Sequence, residues 1–213
     1  MKCPLAYLIT FTTYGTHLHG QASGSVSRWR NTWDRDFVPH CPNLQKTERS
    51  ALREPAYTLS PAARQVVCDA VVEECRDRGW MLWAVQVRVT HVHCVVQSRV
   101  EASRVAQSFK ASASRRLNQL GTDGPRQRRW TRGESARNLW TVDQVKLAVD
   151  YVLNRQGIQM AVFKDAAALE RLDKDQPDRL PHLTEPRAKC RAFERRAASG
   201  PPDAPDASTA ART

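Results

Sequence analysis

The sequence predicts an α+β fold in which one antiparallel sheet carries helices on one face. Three observations support this class. Residues 5–12 alternate in the manner of a strand, and residues 83–96 form a short valine-rich run typical of buried strands. Residues 60–79 and 101–121 show helical spacing and end in glycine. The predicted order is strand, helix, strand, strand, helix, strand, helix, which is that of a ferredoxin-like (RRM-like) sandwich.

The first predicted strand, residues 5–12, has apolar side chains at every second position and ends near Tyr14 and Gly15. A long irregular insertion follows over residues 15–59. Loops of this length are uncommon in compact domains and are often functional. We expect one short helix inside it, near residues 44–52.

The next elements are a helix and a strand pair. Ser60 is a good N-cap, Pro61 suits the first helical position, and Gly79 ends the helix. Strands are predicted over 80–88 and 91–98, joined by a tight two-residue connection.

The second half of the domain repeats the alternation of helix and strand. A helix is predicted over 101–120, then a basic loop over 122–133 and a short strand closing at 139–140. Thr141 caps a third helix, 142–156, which Gly157 ends.

Domain organisation follows from composition along the chain. The 213 residues suffice for one domain with a sizeable core. We predict one folded domain over 1–164, and a charged, Ala/Pro-rich tail over 165–213 that is largely disordered.

Charge and composition narrow the classes of function. The net charge of +11 and pI near 9.9 indicate a polyanionic partner, most commonly nucleic acid. No apolar stretch approaches the roughly 20 residues of a membrane helix, and the N-terminus does not resemble a signal peptide. The six cysteines form no C-x-x-C pair, so free thiols in a reducing cytoplasm are expected.

The pair His91 and His93 is the most informative motif. On a strand, residues i and i+2 point to the same face, about 7 Å apart along the backbone. Two such imidazoles can hold one divalent ion and leave its other positions open. The alternative is a pair of buried histidines with satisfied hydrogen bonds. A second pair, His17 and His19, lies in a Gly-rich loop with no strand to aim it, and we interpret it as accidental.

Tyr151 is the second chemical element, on the face of the third helix. Beside a metal-activated phosphate a phenol can act as a nucleophile. The alternative is a tyrosine that packs on the sheet with its hydroxyl in water. Asn154, one turn further on, offers an amide oxygen suited to a hard cation.

Basic residues surround the predicted loop at 122–133 and precede it on the second helix. They could follow a phosphate backbone while Trp130 stacks a base. The alternative is a solvated charged loop. The candidates are Lys110, Arg115, Arg116, Arg126, Arg128, Arg129, Arg132 and Arg137. Trp29 and Trp33, which lie among arginines, invite the same interpretation, or pin their loop to the core.

These residues together resemble a family. The strand pair ending in His91-Val92-His93 resembles the HUH motif of single-tyrosine transposases of insertion elements and their REP-associated relatives. The resemblance covers about residues 4–160. It is carried also by the opening strand, the second helix and the Tyr helix, at Tyr7–Thr16, Phe109-Lys110, Arg115–Asn118, Leu139-Trp140 and Tyr151-Val152.

The resemblance implies a metal-dependent transposase that acts on single-stranded or hairpin DNA. His91 and His93 would hold Mg²⁺ or Mn²⁺, and Tyr151 would attack to give a 5′-phosphotyrosine intermediate. The family's third ligand, an amide four positions after the tyrosine, is replaced here by Arg155, which cannot ligate a cation. Asn154 and Gln156 are the substitutes, of which Asn154 keeps the helix face better, while Arg155 could bind a phosphate.

Alternatives stay open at this stage. One is a non-catalytic nucleic-acid-binding protein on the same fold. Another is an HUH replication-initiator or relaxase-like nickase. The resemblance implies a bacterial cytoplasmic protein, nucleoid-associated when bound to DNA. It is compatible with a monomer and with a homodimer that shares its Tyr helices.

Overall fold

The computed structural model describes residues 3–20, 40–121, 126 and 128–173. It confirms the predicted α+β class: a five-stranded antiparallel sheet and five helices lie within these residues. Their order along the chain is β1 Ala6–Thr12, α1 Pro42–Ser50, α2 Pro61–Arg78, β2 Met81–Val87, β3 His91–Gln97, α3 Ala102–Leu120, β4 Ser135–Leu139, α4 Val142–Asn154, β5 Ala161–Lys164 and α5 Ala166–Asp173.

The sheet has the strand order β4-β1-β3-β2-β5. The first four strands follow the arrangement of a ferredoxin-like sandwich, with β1 and β3 at the centre. In the antiparallel registers, Thr10 of β1 and Gln86 of β2 both lie opposite His93 of β3. The central position of β3 therefore places the histidine pair in the middle of the sheet, with a polar neighbour on either side.

Helices cover both faces of this sheet. Val92, Cys94 and Val96 of β3 belong to the core that α2 and α3 cover, with Phe109 fully buried between them. Because strand residues alternate between faces, His91 and His93 point to the other side. Helix α4 packs against β2 and β3 there. The prediction of helices on one face plus a Tyr-bearing C-terminal helix is thus confirmed, with α4 on the opposite face.

One strand boundary agrees with the sequence prediction and one helix boundary differs. Strand β4 spans Ser135–Leu139, in agreement with the predicted close at 139–140, and its first four residues are exposed. Helix α4 ends at Asn154 rather than at residue 156.

A fifth strand and a fifth helix follow, and the sequence pattern did not reveal them. Strand β5 pairs with β2. Helix α5 lies inside the predicted tail, and its residues Ala168 and Leu172 are buried. At its start, the Ala168 amide donates a hydrogen bond to the Asp165 carboxylate at 2.9 Å. Apolar burial explains why this first part of the tail is ordered. Residues 174–213, Trp29 and Trp33 lie outside the described residues.

Two expectations about the whole chain concern membranes and cysteines. In the described part of the chain, no helix has the length and apolar character needed to span a bilayer. Five of the six cysteines are described, and all five are free thiols; Cys190 lies outside the described residues.

Candidate active site

Four aromatic rings form a row on the α4 face of the sheet. The ring centroids of His91 and His93 are 4.7 Å apart, and each ring meets the other edge to face. The ring of Tyr151 lies 5.7 Å beyond His93, and that of His17 lies 5.9 Å beyond His91. Tyr151 and both predicted histidines therefore meet within one chain.

Threonine hydroxyls orient both imidazoles of the pair. Nδ1 of His93 is 2.7 Å from the Thr10 hydroxyl, and Nδ1 of His91 is 3.1 Å from the Thr90 hydroxyl. If each Nδ1 carries the proton and donates it to threonine, each Nε2 presents a lone pair. Such outer hydrogen bonds are what fix the tautomer of a metal-binding histidine.

Both imidazoles are held in their neutral form. Burial, with the neighbouring histidines and Arg88, lowers the pKa of His91 to about 4 and that of His93 to about 3. Desolvation penalises the charged imidazolium, which explains the direction. A neutral imidazole is the form that binds metal ions.

The Tyr151 side chain is accessible. It is 40% exposed, and among the described residues no group hydrogen-bonds to its hydroxyl. Position 151 lies in the last turn of α4, whose Val145, Ala148, Val149 and Val152 are buried against the sheet. This amphipathic stripe sets the rotation of α4 and brings Tyr151 to the edge of the helix facing His93.

Of the two candidates for a third ligand, Gln156 is the one that meets the histidines. Its side chain lies close enough to His93 to raise the pKa of that imidazole, and its amide nitrogen donates to the Tyr151 carbonyl at 3.4 Å. Because α4 ends at Asn154, Gln156 reaches the site from outside the helix, so no helical distortion is needed. The segment is anchored where Arg88 donates to the Ile158 carbonyl at 2.9 Å. Asn154 instead donates to Asp150 at 2.9 Å.

Arg155 also turns toward Asp150, with its Nε 2.7 Å from the carboxylate. The guanidinium is nevertheless 68% exposed, so it keeps donors for a phosphate. Asp150 therefore positions the side chains of both Asn154 and Arg155. Their hydrogen bonds lower the pKa of the Asp150 carboxyl.

His17 is a site residue that the sequence interpretation missed. We took His17 and His19 as accidental because their loop has no strand. The loop is nevertheless fixed: Glu48 of α1 binds His19 through Nδ1 at 2.7 Å and through its amide at 2.6 Å. Gly20 has φ +79°, and a Cβ there would lie 2.4 Å from the Cys41 carbonyl oxygen. Only glycine fits this contact, which pins the end of the loop.

Gln86 is the second residue that sequence patterns did not single out. It lies opposite His93 in the register and is fully buried, yet within the described part of the chain neither its amide oxygen nor its amide nitrogen has a hydrogen-bond partner. Buried amides are nearly always satisfied, so this one is exceptional. In the sequence, the one sign that Gln86 is unusual is that this polar residue lies inside a valine-rich strand.

The predicted DNA-binding residues divide into three groups. The side chains of the first group make contacts within the fold. Trp130 packs edge to face on Phe11 with centroids 5.2 Å apart, and its indole N–H donates to the Lys110 carbonyl at 3.0 Å. Lys110 itself donates to the carbonyls of Thr131 and Gly133. Arg129 is only 4% exposed. These contacts hold the Lys110 side chain within the fold and Arg129 is buried there, while their role in DNA binding stays a prediction.

Arg126 belongs to the same group. Its guanidinium donates to the Pro55 carbonyl at 2.6 Å, lies 3.5 Å from the Glu54 carboxylate and covers the Tyr57 ring at 4.8 Å. It therefore fastens the segment between α1 and α2 to the basic loop.

The second group lies on the other face of the sheet. Arg115 and Arg116 of α3 form ion pairs with Glu74 and Glu73 of α2. They are exposed, but the sheet separates their helix from the histidine pair. The third group comprises Arg128 and Arg132, which share a pocket lining with His17, together with Arg137 of β4 and Arg155 beside Asp150. Arg132, Arg137 and Arg155 are exposed, whereas Arg128 is partly buried beside the Tyr14 ring.

The donor set suits a divalent ion with open positions. It comprises two neutral imidazoles and the Gln156 amide, with the unsatisfied Gln86 amide beside them. No group of three His, Cys, Asp or Glu side chains able to hold a metal occurs among the described residues. A site built from these residues would thus leave most of the coordination sphere to water and substrate oxygens.

Comparisons with known proteins show similarity to solved structures and to no sequence family. No family model matches the chain, and no curated protein sequence matches it. Among solved structures, the chain is similar to the REP-associated tyrosine transposase bound to a REP hairpin, with 13% sequence identity and a TM-score of 0.39. The match covers 71% of this chain and 66% of that one, slightly under two thirds. Similarity at this level assigns no activity, so function is inferred from the geometry of the site.

Proposed function

We propose that this protein is a metal-dependent DNA strand transferase, which cleaves and rejoins single-stranded or hairpin DNA through a 5′-phosphotyrosine intermediate. The observation that carries the proposal is the ring row, in which the accessible Tyr151 lies 5.7 Å from His93 and His93 lies 4.7 Å from His91. A nucleophile and a pair of metal-binding imidazoles are thus adjacent, as metal-assisted phosphoryl transfer requires.

The roles of the residues follow from their chemistry. His91 and His93, with Gln156, would hold Mg²⁺ or Mn²⁺, and the bound ion would polarise the scissile phosphate. The Tyr151 oxygen attacks phosphorus, and the bond from phosphorus to the 3′ oxygen breaks. The phenolic proton passes to water, and the departing 3′ oxygen takes up a proton. One phosphodiester is exchanged for another, so no external energy source is needed.

Tyr151 is the tyrosine best suited to this role. The chain has four tyrosines, all within the described residues. Tyr7 and Tyr57 are buried in the core, and the Tyr14 hydroxyl accepts a hydrogen bond from the Arg53 amide at 3.0 Å. Only Tyr151 combines exposure with proximity to the imidazoles.

Electrostatics supports DNA as the substrate. The net charge of +11 favours a polyanion, and the side chains of Arg132 and Arg155 are exposed. Phosphate contacts supply most of the sequence-independent affinity of such proteins.

The proposal is tested by trapping the intermediate. The protein is incubated with Mn²⁺ and a pool of hairpin-rich single-stranded DNA labelled at the 3′ end, then denatured and separated by electrophoresis. We expect label that migrates with the protein, because the fragment linked through its 5′ phosphate carries the 3′ label. Tyr151→Phe removes the nucleophile and should abolish the adduct, whereas the buried Tyr57→Phe should retain it.

The metal is tested in the same assay. Chelation and His91→Ala should each abolish the adduct while leaving DNA affinity nearly unchanged, since phosphate contacts dominate binding. An adduct that needs Tyr151 yet survives chelation would contradict the metal part of the proposal. A large loss of DNA affinity in His91→Ala would show that His91 is structural.

A second candidate is a non-catalytic nucleic-acid-binding protein. The observation that favours it is the lack, within the described ranges, of a third His, Cys, Asp or Glu ligand beside the imidazole pair. It predicts salt-dependent DNA binding with no covalent adduct from any substrate, so the trapping experiment separates the two.

A further inference from the structure

A basic cavity adjoins the ring row and has no role in the reaction proposed above. It encloses about 420 Å³ between the loop after β1, the segment after α1 and the loop before β4. Its volume lies within the range of about 300–1,000 Å³ typical of sites for small ligands. The residues that matter for its chemistry are Tyr14, His17, Arg53, Arg128, Thr131 and Arg132.

The lining of the cavity is cationic. Of the residues that the structure describes, three arginines and no carboxylate line it. Among the described residues, the guanidiniums of Arg53 and Arg132 pair with no acidic group. Arg128 lies 5.9 Å from the centroid of the Tyr14 ring. Unpaired guanidiniums suit phosphate oxygens, and an arginine beside an aromatic ring suits the flat face of a base.

The cavity meets the histidine pair at the end remote from Tyr151. His17 lines the cavity, and its ring contacts that of His91. Thr131, also in the lining, hydrogen-bonds at 2.7 Å to Thr12, which lies opposite His91 in the register. Along the row the order is therefore cavity, His91, His93 and Tyr151.

We propose that this cavity binds the nucleotide on the 3′-oxygen side of the scissile phosphate. The assignment rests on the proposed function. In phosphoryl transfer, the attacking and leaving oxygens lie roughly in line on opposite sides of phosphorus. With the phosphate over the two imidazoles and Tyr151 at one end, the leaving 3′ oxygen and its nucleotide point toward the cavity. Arg53 and Arg132 would bind that nucleotide's own 5′ phosphate.

The assignment has a consequence for strand joining. After Tyr151 bonds to phosphorus and the bond to the 3′ oxygen breaks, the released strand ends in a 3′ hydroxyl. A strand held in the cavity stays close to the phosphotyrosine, so its hydroxyl can attack phosphorus and restore the phosphodiester while Tyr151 regains its proton. Held reactants of this kind react as an intramolecular pair.

The test measures retention of the released strand. A DNA that gives the adduct is labelled at its 5′ end, cleaved, and diluted under native conditions, and departure of the labelled 3′-hydroxyl strand is timed. We expect Arg132→Gln to release it about tenfold faster, the loss typical of one charge-assisted hydrogen bond. The matched control is Arg76→Gln, which removes an exposed arginine of α2 on the opposite face and should release the strand at the wild-type rate.

A second measurement locates the nucleotide directly. Tyr151→Phe, which cannot cleave, is bound to the same DNA carrying 5-iodouracil immediately 5′ of the cleavage point and is irradiated. Crosslinks in Tyr14 or elsewhere in the cavity lining support the assignment. Crosslinks on α2 or α3, or unchanged release from Arg132→Gln, would overturn it while the adduct, and with it the proposed function, stands. If the wild-type protein forms no adduct, the proposed function fails first and this assignment falls with it.

Discussion

Thr10→Val tests whether the hydrogen bond to His93 prepares the site. The substitution keeps the β-branched shape of the side chain and replaces only the hydroxyl that lies 2.7 Å from Nδ1 of His93. His93 is 6% exposed, so water cannot easily replace that partner. Without it, the ring can carry its proton on Nε2, the nitrogen that would otherwise face the metal.

The size of the effect follows from the position of Thr10. Groups that orient a metal-binding histidine typically change metal affinity or activity about 10- to 100-fold, or roughly 1.4–2.7 kcal/mol. We expect Thr10→Val to weaken Mn²⁺ binding and slow adduct formation within that range. Stability should fall by only about 1 kcal/mol, the net value of one hydrogen bond.

The assay combines Mn²⁺ titration by calorimetry with single-turnover adduct formation and urea unfolding. Thr10→Ser keeps the hydroxyl and should restore both metal affinity and rate. If Thr10→Val binds Mn²⁺ and forms the adduct as the wild type does, the threonine does not set the tautomer, and the orientation argument is refuted.

Two further predictions concern other charged contacts. Burial raises the pKa of Glu74, but hydrogen bonds from Ser108, Arg78 and Ser112 outweigh it and lower the pKa below its ordinary 4.5. Its stabilisation is therefore present above pH 4.5 and is lost as the pH falls through the lower folded-state value. Glu74→Gln should lower the free energy of unfolding in urea by roughly 1–2 kcal/mol at pH 7, a modest value because its arginine partners are largely exposed. The difference in stability from wild type should shrink in acid, and a difference that stays constant with pH would contradict this. Glu48→Ala frees the His19 loop beside the cavity and should slow adduct formation roughly tenfold through lost positioning, with a melting temperature close to that of the wild type; an unchanged rate would show that the loop does not shape the site.

The sequence was most informative where local chemistry and periodicity agreed. Alternation over β1, the Ser60-Pro61 start of α2 and the valine-rich hairpin each predicted the correct element. The histidine pair and Tyr151 could be proposed as partners only through family resemblance, since spacing along the chain does not say which faces meet. Their contact depends on α4 packing across β2 and β3, which is a tertiary property.

The remaining features depend on contacts between distant segments. No local pattern shows that Glu48 holds His19, or that Gly20 touches Cys41, so the position of His17 was out of reach. Likewise, Gln156 reaches His93 because α4 ends at Asn154, two residues before the end that Gly157 predicts.

Several basic side chains bind groups of the protein itself, and this affects how DNA affinity depends on ionic strength. Lys110 and Arg126 hold backbone carbonyls and carboxylates, and Arg129 is buried, so a tally of basic residues overstates how many phosphates the protein can neutralise. Each neutralised phosphate of a single strand releases about 0.7 of a counterion. Affinity for DNA should therefore decline with added salt less steeply than the formal surplus of +11 would indicate.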